Sequence, residues 1–376
     1  TDDESRFFLY LARTYDSAKL TERSLSLFRA LSAPERFAKF SEEDRDAIGS
    51  KLFLLEAEAG NIAAASEKLG YLKSPYSIRS ALADRRLAPL WPQVGAMAGP
   101  NMALTLNARV DRAKLRFDAA PTGDGELKEL AEAYLTAGRF ADVVALVAAK
   151  EPAPDDYGSL TENMGWALNA KVYALDALGR HEEAEAIFDR IAGLKLDDRT
   201  RGWLVNFVIN RALRLVDRGD AGKALPAIDL ADRIATEAGS DYARMLVRGA
   251  RMCALRESGR AADLAPLLAE VSEHAAEAPA EAAEAMLCAD ADDQAAKVVR
   301  DALTDPARSA AMIEALQSRD FGLYYGESNR PQLFERIRKR RDVASLFDKV
   351  GRDIPREFVP LFTLRLMQAR AARAAE

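Results

Sequence analysis

Glycine recurs in matching surroundings at Gly138, Gly179, Gly219 and Gly259, at spacings of 41, 40 and 40 residues. No other feature of the chain restricts its fold as tightly. Four residues before each glycine stands a large apolar residue: Tyr134, Leu175, Leu215 and Leu255. Seven before stand Ala131, Val172, Ala212 and Met252. Five after come Val143, Ala184, Ala224 and Leu264, and nine after come Val147, Phe188, Ile228 and Leu268. Such spacings put these residues on one face of a helix. A glycine between two such faces marks a tight helix-to-helix turn, because it takes positive φ without a Cβ penalty. Each unit reads as two amphipathic helices hinged at glycine.

The residues around the turn carry a resemblance. Leu130-Ala131-x-x-Tyr134-x-x-x-Gly138-Arg139-Phe140 looks like the first helix and turn of a tetratricopeptide repeat. Gly179-Arg180-His181-Glu182-Glu183-Ala184-x-x-x-Phe188 is similar to the turn and second helix, as is Gly219-x-x-x-x-Ala224-x-x-x-Ile228-x-x-Ala231. The match covers residues 125–275. Two departures stand out. The period is near 40, against about 34 in the family. Eight residues before the glycine, where the family favours Leu, only Leu130 conforms; Lys171, Arg211 and Arg251 replace it elsewhere. The resemblance implies an all-α superhelical solenoid of stacked antiparallel helix pairs, with atypical capping helices at both ends. In that family the groove lined by the first helices holds peptides or extended protein segments.

Weaker copies extend both ways. Leu52, Gly60, Ala65, Leu69 and Leu72 read as an earlier unit, Leu104–Phe117 as a helix, and Ala280–Ala289 with Gln294–Leu303 as a shortened pair. Further helices are expected over 306–318 and 331–348, and a long C-terminal helix over 355–374, capped by Asp353 with Pro355 in its first turn. Ser159-x-x-Glu162 reads as a capping box, Ser41-x-x-Asp44 as a looser one, and Pro152 and Pro154 as a break between units. No segment alternates with period two, so no strand is predicted. Asp84-Arg85-Arg86-Leu87 and Arg341-Asp342-Val343 echo each other as short capping helices. The regularity divides the chain into degenerate N-terminal repeats (1–120), regular repeats (121–279) and degenerate C-terminal repeats with caps (280–376), read as one continuous solenoid. A single pair buries too little surface to fold alone, so stacking is obligatory.

Composition narrows the function. Lys and Arg number 53 against 59 Asp and Glu, giving net charge −6 and an isoelectric point of about 5.4. Duplex nucleic-acid binders carry a net basic face, so duplex binding is not expected. No run of about 18 apolar residues appears, so no transmembrane helix is expected. The acidic start Thr1-Asp2-Asp3-Glu4 would suit a chain after signal cleavage, a lean towards an exported, bacterial-envelope protein. His181 and His274 are the only histidines; the first is expected exposed after the turn, the second in an acidic stretch, with no ligand spacing around either, so no metal or cofactor is expected. Cys253 and Cys288 form no disulfide framework. A bridge needs Cα atoms within about 7 Å, and the expectation is two small packed residues.

Two sets of residues are candidates for partner binding. Lys171, Arg211 and Arg251 recur at one place in three successive units, with Arg214 and Arg218 on the same helical face as Arg211. They could track an acidic peptide, a carboxylate or an anionic polymer. The blander expectation is a ladder that pairs with Asp or Glu of the neighbouring unit. Trp166, Asn169 and Tyr173 share one face, and Asn206 and Asn210 share one in the next unit. These suit an extended peptide, as interface aromatics and backbone-binding amides do, or else pack and solvate the repeat. Arg336-x-Arg338-Lys339-Arg340-Arg341 reads as a solvated basic face, and Tyr324-Tyr325-Gly326 as a connector. No phosphate loop, nucleophile elbow or zinc-protease helix motif occurs. The chain therefore reads as a non-catalytic scaffold or adaptor for a protein or peptide. An enzyme or enzyme accessory with a carboxylate site in the groove, and a small-ligand sensor, stay open beside it.

Overall fold

In the computed structural model of the 376-residue chain, residues 11, 14–15, 20–40, 42–317 and 333–363 are described. Those residues are helical almost throughout and contain no strand; an isolated bridge pairs Asp84 with Gly351. They fall into two compact units, one of residues 1–105 with 348–358, the other of 106–347 with 359–376. The segments 1–120, 121–279 and 280–376 follow sequence regularity, which is a different property from compactness.

The first unit holds helices α1 (Thr21–Leu31), α2 (Pro34–Phe37), α3 (Glu42–Glu58), α4 (Ile62–Lys68), α5 (Pro75–Ala83) and α6 (Trp91–Ala98). Phe28 and Leu31 of α1 bury against Ile48, Leu52 and Leu55 of α3. The buried Glu56 takes both Arg29 Nε and Nη2 at 2.7 Å and Asn61 Nδ2 at 2.9 Å. The late segment 348–358 belongs to this unit: Arg352 donates its N–H to Ala83 O and its Nε to Leu82 O, and stacks its guanidinium 3.3 Å from the centre of the Trp91 ring. Arg85 Nε in turn donates to Gly351 O at 2.9 Å.

The second unit is a run of helix pairs. After α7 (Ala103–Ala119) come α8 (Asp124–Thr136) with α9 (Phe140–Ala148), α10 (Glu162–Ala177) with α11 (His181–Ala192), and α12 (Arg201–Asp217) with α13 (Ala221–Ala238). Then come α14 (Asp241–Glu257) with α15 (Leu264–His274), and α16 (Pro279–Cys288) with α17 (Asp292–Thr304), followed by α18 (Pro306–Ala315), α19 (Leu333–Arg338) and α20 (Arg341–Val350). From α10 to α16, each first helix packs on its own second helix and on both helices of the pair before it. The turn glycines do what their spacing requires: Gly138, Gly179, Gly219 and Gly259 have φ of 72°, 74°, 73° and 72°. In each turn the next residue's N–H returns to the carbonyl five positions back, as in Arg180 to Leu175 at 2.8 Å and Arg260 to Leu255 at 2.9 Å, which closes the helix end.

The fifth pair makes the same turn without glycine. Asp290 takes φ 55°, and Ala291 N–H bonds Met286 O at 2.9 Å. Aspartate tolerates this left-handed conformation better than most side chains, which is why the pair reads in sequence only as a shortened copy.

Two local expectations shift. The cap of α10 is Thr161, not Ser159: Thr161 is extended and its Oγ1 accepts from Met164 N–H at 3.1 Å. Ser159 closes a 3₁₀ turn that begins at Pro154 and spends its hydroxyl on Asp156 O. The expected C-terminal helix does not run on from Pro355: a 3₁₀ turn over Arg356–Phe358 stops short of Pro360, residues 361–363 are helical, and the rest of the expected span lies outside the described residues. Pro360 has no N–H to continue the ladder. Ser41 and Tyr324–Gly326 lie outside the described residues.

Candidate functional site

The first helices present two differently used faces. Eight residues before the turn glycine stand Lys171, Arg211 and Arg251, and each turns towards the second helix of the pair before it. Lys171 Nζ bonds Glu151 just beyond α9. Arg211 reaches Glu185 (Nε–Oε1, 2.8 Å) and Asp189 on α11. Arg251 reaches Asp229 (2.7 Å) and Asp232 (3.2 Å) on α13. Their side chains keep only 12, 17 and 23% of their surface exposed, so little cation is left for an incoming anion. The basic run near the C-terminal end is used the same way. Arg336 contacts Asp290 and Asp292, and Arg340 contacts Asp293 at 2.6 Å.

Arg214 sits deeper. It is buried and grips Asp176 through Nε and Nη2, the latter at 2.8 Å, and Glu185 through Nη1 at 2.6 Å. Arg218 lies 3.5 Å from the same Asp176, and His181 Nδ1 lies 2.9 Å from it. His181 is therefore half-buried against a carboxylate, not exposed as expected. Burial opposes the charge on Arg214, but Asp176 and Glu185 outweigh it and hold its pKa above the ordinary arginine value. Three helices, α10, α11 and α12, meet at this cluster. Both the outer pairs and the inner cluster tie a first helix to the helix pair before it.

The second face carries no charge. Thirteen residues before the turn glycine stand Trp166, Asn206 and Leu246, all half-buried. Six before it stand Tyr173, Leu213 and Cys253; Tyr173 and Cys253 are buried and Leu213 half-buried. Seven residues are nearly two helical turns, so these rows share a face. Asn210 Nδ2 donates to Asn169 Oδ1 at 3.1 Å, tying α12 to α10. Asn206 points its amide back to Gly202 O at 3.4 Å, and Trp166 Nε1 lies 3.4 Å from Glu162. Tyr242, half exposed on α14, donates to Glu281 of α16 at 3.0 Å; burial of its ring side, with that carboxylate, pushes its pKa up to about 12. The amide pair was not foreseeable from spacing, because Asn169 and Asn210 stand at different distances from their glycines.

Two hollows flank the second helices. One, of about 410 Å³, lies among α15, α16, α17 and α18 with Met286, Val298 and Ala302 on its floor and Lys297, Asp301 and Arg308 in its wall. The other, of about 350 Å³, lies where Glu151, Lys171, Glu183 and Arg190 meet. Their charges are mixed in sign and select no ligand class. Among the described residues no three His, Cys, Asp or Glu side chains converge as a metal-ligating group, and no helix is long and apolar enough to cross a membrane. His274 pairs with Glu277.

The two cysteines correct their expectation. Cys253 of α14 and Cys288 of α16 are bonded to each other, with Cα atoms 4.9 Å apart, and no free cysteine remains. Spacing in sequence could not give that distance; the close packing of α14 on α16 does. No protein-family model, curated protein or solved structure matches this chain.

Proposed function

We propose that the second unit is a non-catalytic binding module. In this reading its helix pairs form a tetratricopeptide-like solenoid, and the first-helix face carrying Trp166, Asn206, Asn210 and Leu246 takes up a protein or peptide segment. The observation that carries the reading is the division of labour on the first helices. The repeating cations Lys171, Arg211 and Arg251 are consumed by acids of the preceding pair, while the row Trp166, Asn206 and Leu246 keeps part of its surface free at the same repeat interval. Partly exposed aromatic, amide and aliphatic side chains in register suit a bound extended chain, with aromatics as anchors and amides for its backbone. Such a partner is held by apolar and amide contacts, and acidity is not a requirement.

A photo-crosslinking residue placed at Asn206 tests this in the native cells, with the same residue at the exposed Lys223 of the second helix α13 as the control. The expected result is a discrete adduct from position 206 and none from 223. No adduct at 206, or equal adducts at both, contradicts the reading.

A further inference from the structure

Small residues meet where α14 packs on α16. Gly249 faces Ala285 closely enough that an added Cβ would sit 3.6 Å from the alanine methyl. Ala250, Ala282 and Ala285, on the same two helices, are buried. Small side chains bring helices close but remove little apolar area from water each, so their contribution per contact is low. α16 is also short, with ten residues and Pro279 in its first turn, and a helix of that length is marginal on its own. At this contact lie the chain's only two cysteines, bonded to each other and exposed by 3 and 6%.

We infer that the Cys253–Cys288 bond is a permanent cross-link, made as the chain folds in an oxidising compartment, which clamps α16 and the helices after it to the regular pairs. The inference does not depend on the binding reading. Bonds of this kind persist in oxidising compartments and are rare where thiols are kept reduced. Formation proceeds by exchange with a disulfide-bearing oxidant. One cysteine thiolate attacks the oxidant's disulfide and displaces one of its thiolates. The second cysteine thiolate then attacks the mixed disulfide and releases the other. Two protons leave the cysteines, two electrons pass to the oxidant, and one S–S bond replaces two S–H bonds. Once formed, the buried sulfurs deny an attacking thiolate its approach, which distinguishes a clamp from a regulatory switch. The bond closes a loop of 35 residues between consecutive first helices, and holds the row to which Cys253 belongs against its neighbour.

The full chain is folded with glutathione disulfide as the oxidant, then alkylated with N-ethylmaleimide before and after denaturation and reduction, with mass spectrometry as the readout. The expected result is no labelling of the native protein, none after native incubation in millimolar reduced glutathione, and two labels after denaturing reduction. Two labels on the native protein overturn the proposal. In the Cys253→Ala/Cys288→Ala chain, amide exchange across Pro279–Thr304 is expected to rise about 100-fold, with Glu162–Asp217 unchanged. Unchanged exchange in both segments overturns the clamp. If that variant does not fold, wild-type refolding with and without reductant decides: equal yields of native protein overturn the proposal, and loss of α16 protection under reductant upholds it.

Discussion

At the residue scale, the turn glycines and the buried Arg214 separate backbone from side-chain effects. An added Cβ at Gly179 meets nothing within 4 Å, whereas at Gly138 it would lie 2.5 Å from Phe362 Cδ1. Both glycines hold positive φ, so Gly179→Ala is expected to cost about 1–2 kcal/mol of backbone strain alone. Gly138→Ala is expected to cost more, because the Phe362 ring, stacked edge-on against Phe140, must also move. Urea unfolding of the two variants, compared at equal m-value, checks the order. Removing one partner from a buried ion cluster strands the others, so Arg214→Met is expected to destabilise by about 3–5 kcal/mol. Arg251→Met, in a solvent-facing pair, is expected to cost under about 1 kcal/mol. Comparable losses would mean that the cluster at Asp176 does not lock α10, α11 and α12 together.

Acid behaviour belongs to the same scale. The Arg29 guanidinium holds the Glu56 carboxyl below its ordinary range of about 4.5, with burial opposing and Asn61 assisting. A depressed carboxylate stabilises the fold above its unfolded pKa, and that stability is lost as pH falls below 4.5 through the folded value. Glu56→Gln is therefore expected to flatten the acid limb of stability in the first unit. The check is hydrogen exchange over Thr21–Glu58 as a function of pH; an unchanged slope contradicts it.

At the element scale, helices and their turns were legible because two periodicities agree, apolar residues every three or four positions and glycine every forty. Asp290 broke the second signal while keeping the geometry, so the fifth pair read as a remnant. Capping shifted by two residues at Thr161, because a hydroxyl's role depends on which residue is extended, and the Pro154 turn decided that. The partners of the cation ladder were hidden on other helices, 19 to 26 residues earlier in the chain. A usable signal existed: acids recur ten residues after the glycine at Asp189 and Asp229, and thirteen after it at Glu151 and Asp232. Reading them against the basic position eight before the next glycine would have paired the ladder.

At the scale of the whole molecule, compactness does not follow sequence order. Residues 348–358 join the first unit after the chain has passed through the second, and no repeat pattern announces it. Arg352 carries that return, with two hydrogen bonds to α5 and its guanidinium on Trp91. Arg352→Ala removes the side-chain bond and the stacking, an expected cost of about 1–3 kcal/mol. Hydrogen exchange over Pro75–Ala98 should quicken while α12 and α13 stay protected; uniform change across both units would contradict a local role. The candidate binding face was legible in part, since Trp166, Asn206 and Asn210 were singled out by pattern. Its separation from the cations was not, because which side chains are consumed internally is a property of packing.

The most direct measurement is the dissociation constant of the partner captured through Asn206, taken for the wild type, for Trp166→Ala/Leu246→Ala and for Arg251→Met. Weakening of about 30-fold or more in the first variant, with Arg251→Met within about threefold of wild type, is the expected result. The reverse pattern, with binding lost on removing the cation and kept without Trp166 and Leu246, would contradict the division of the first helices into a structural charged row and an uncharged binding face.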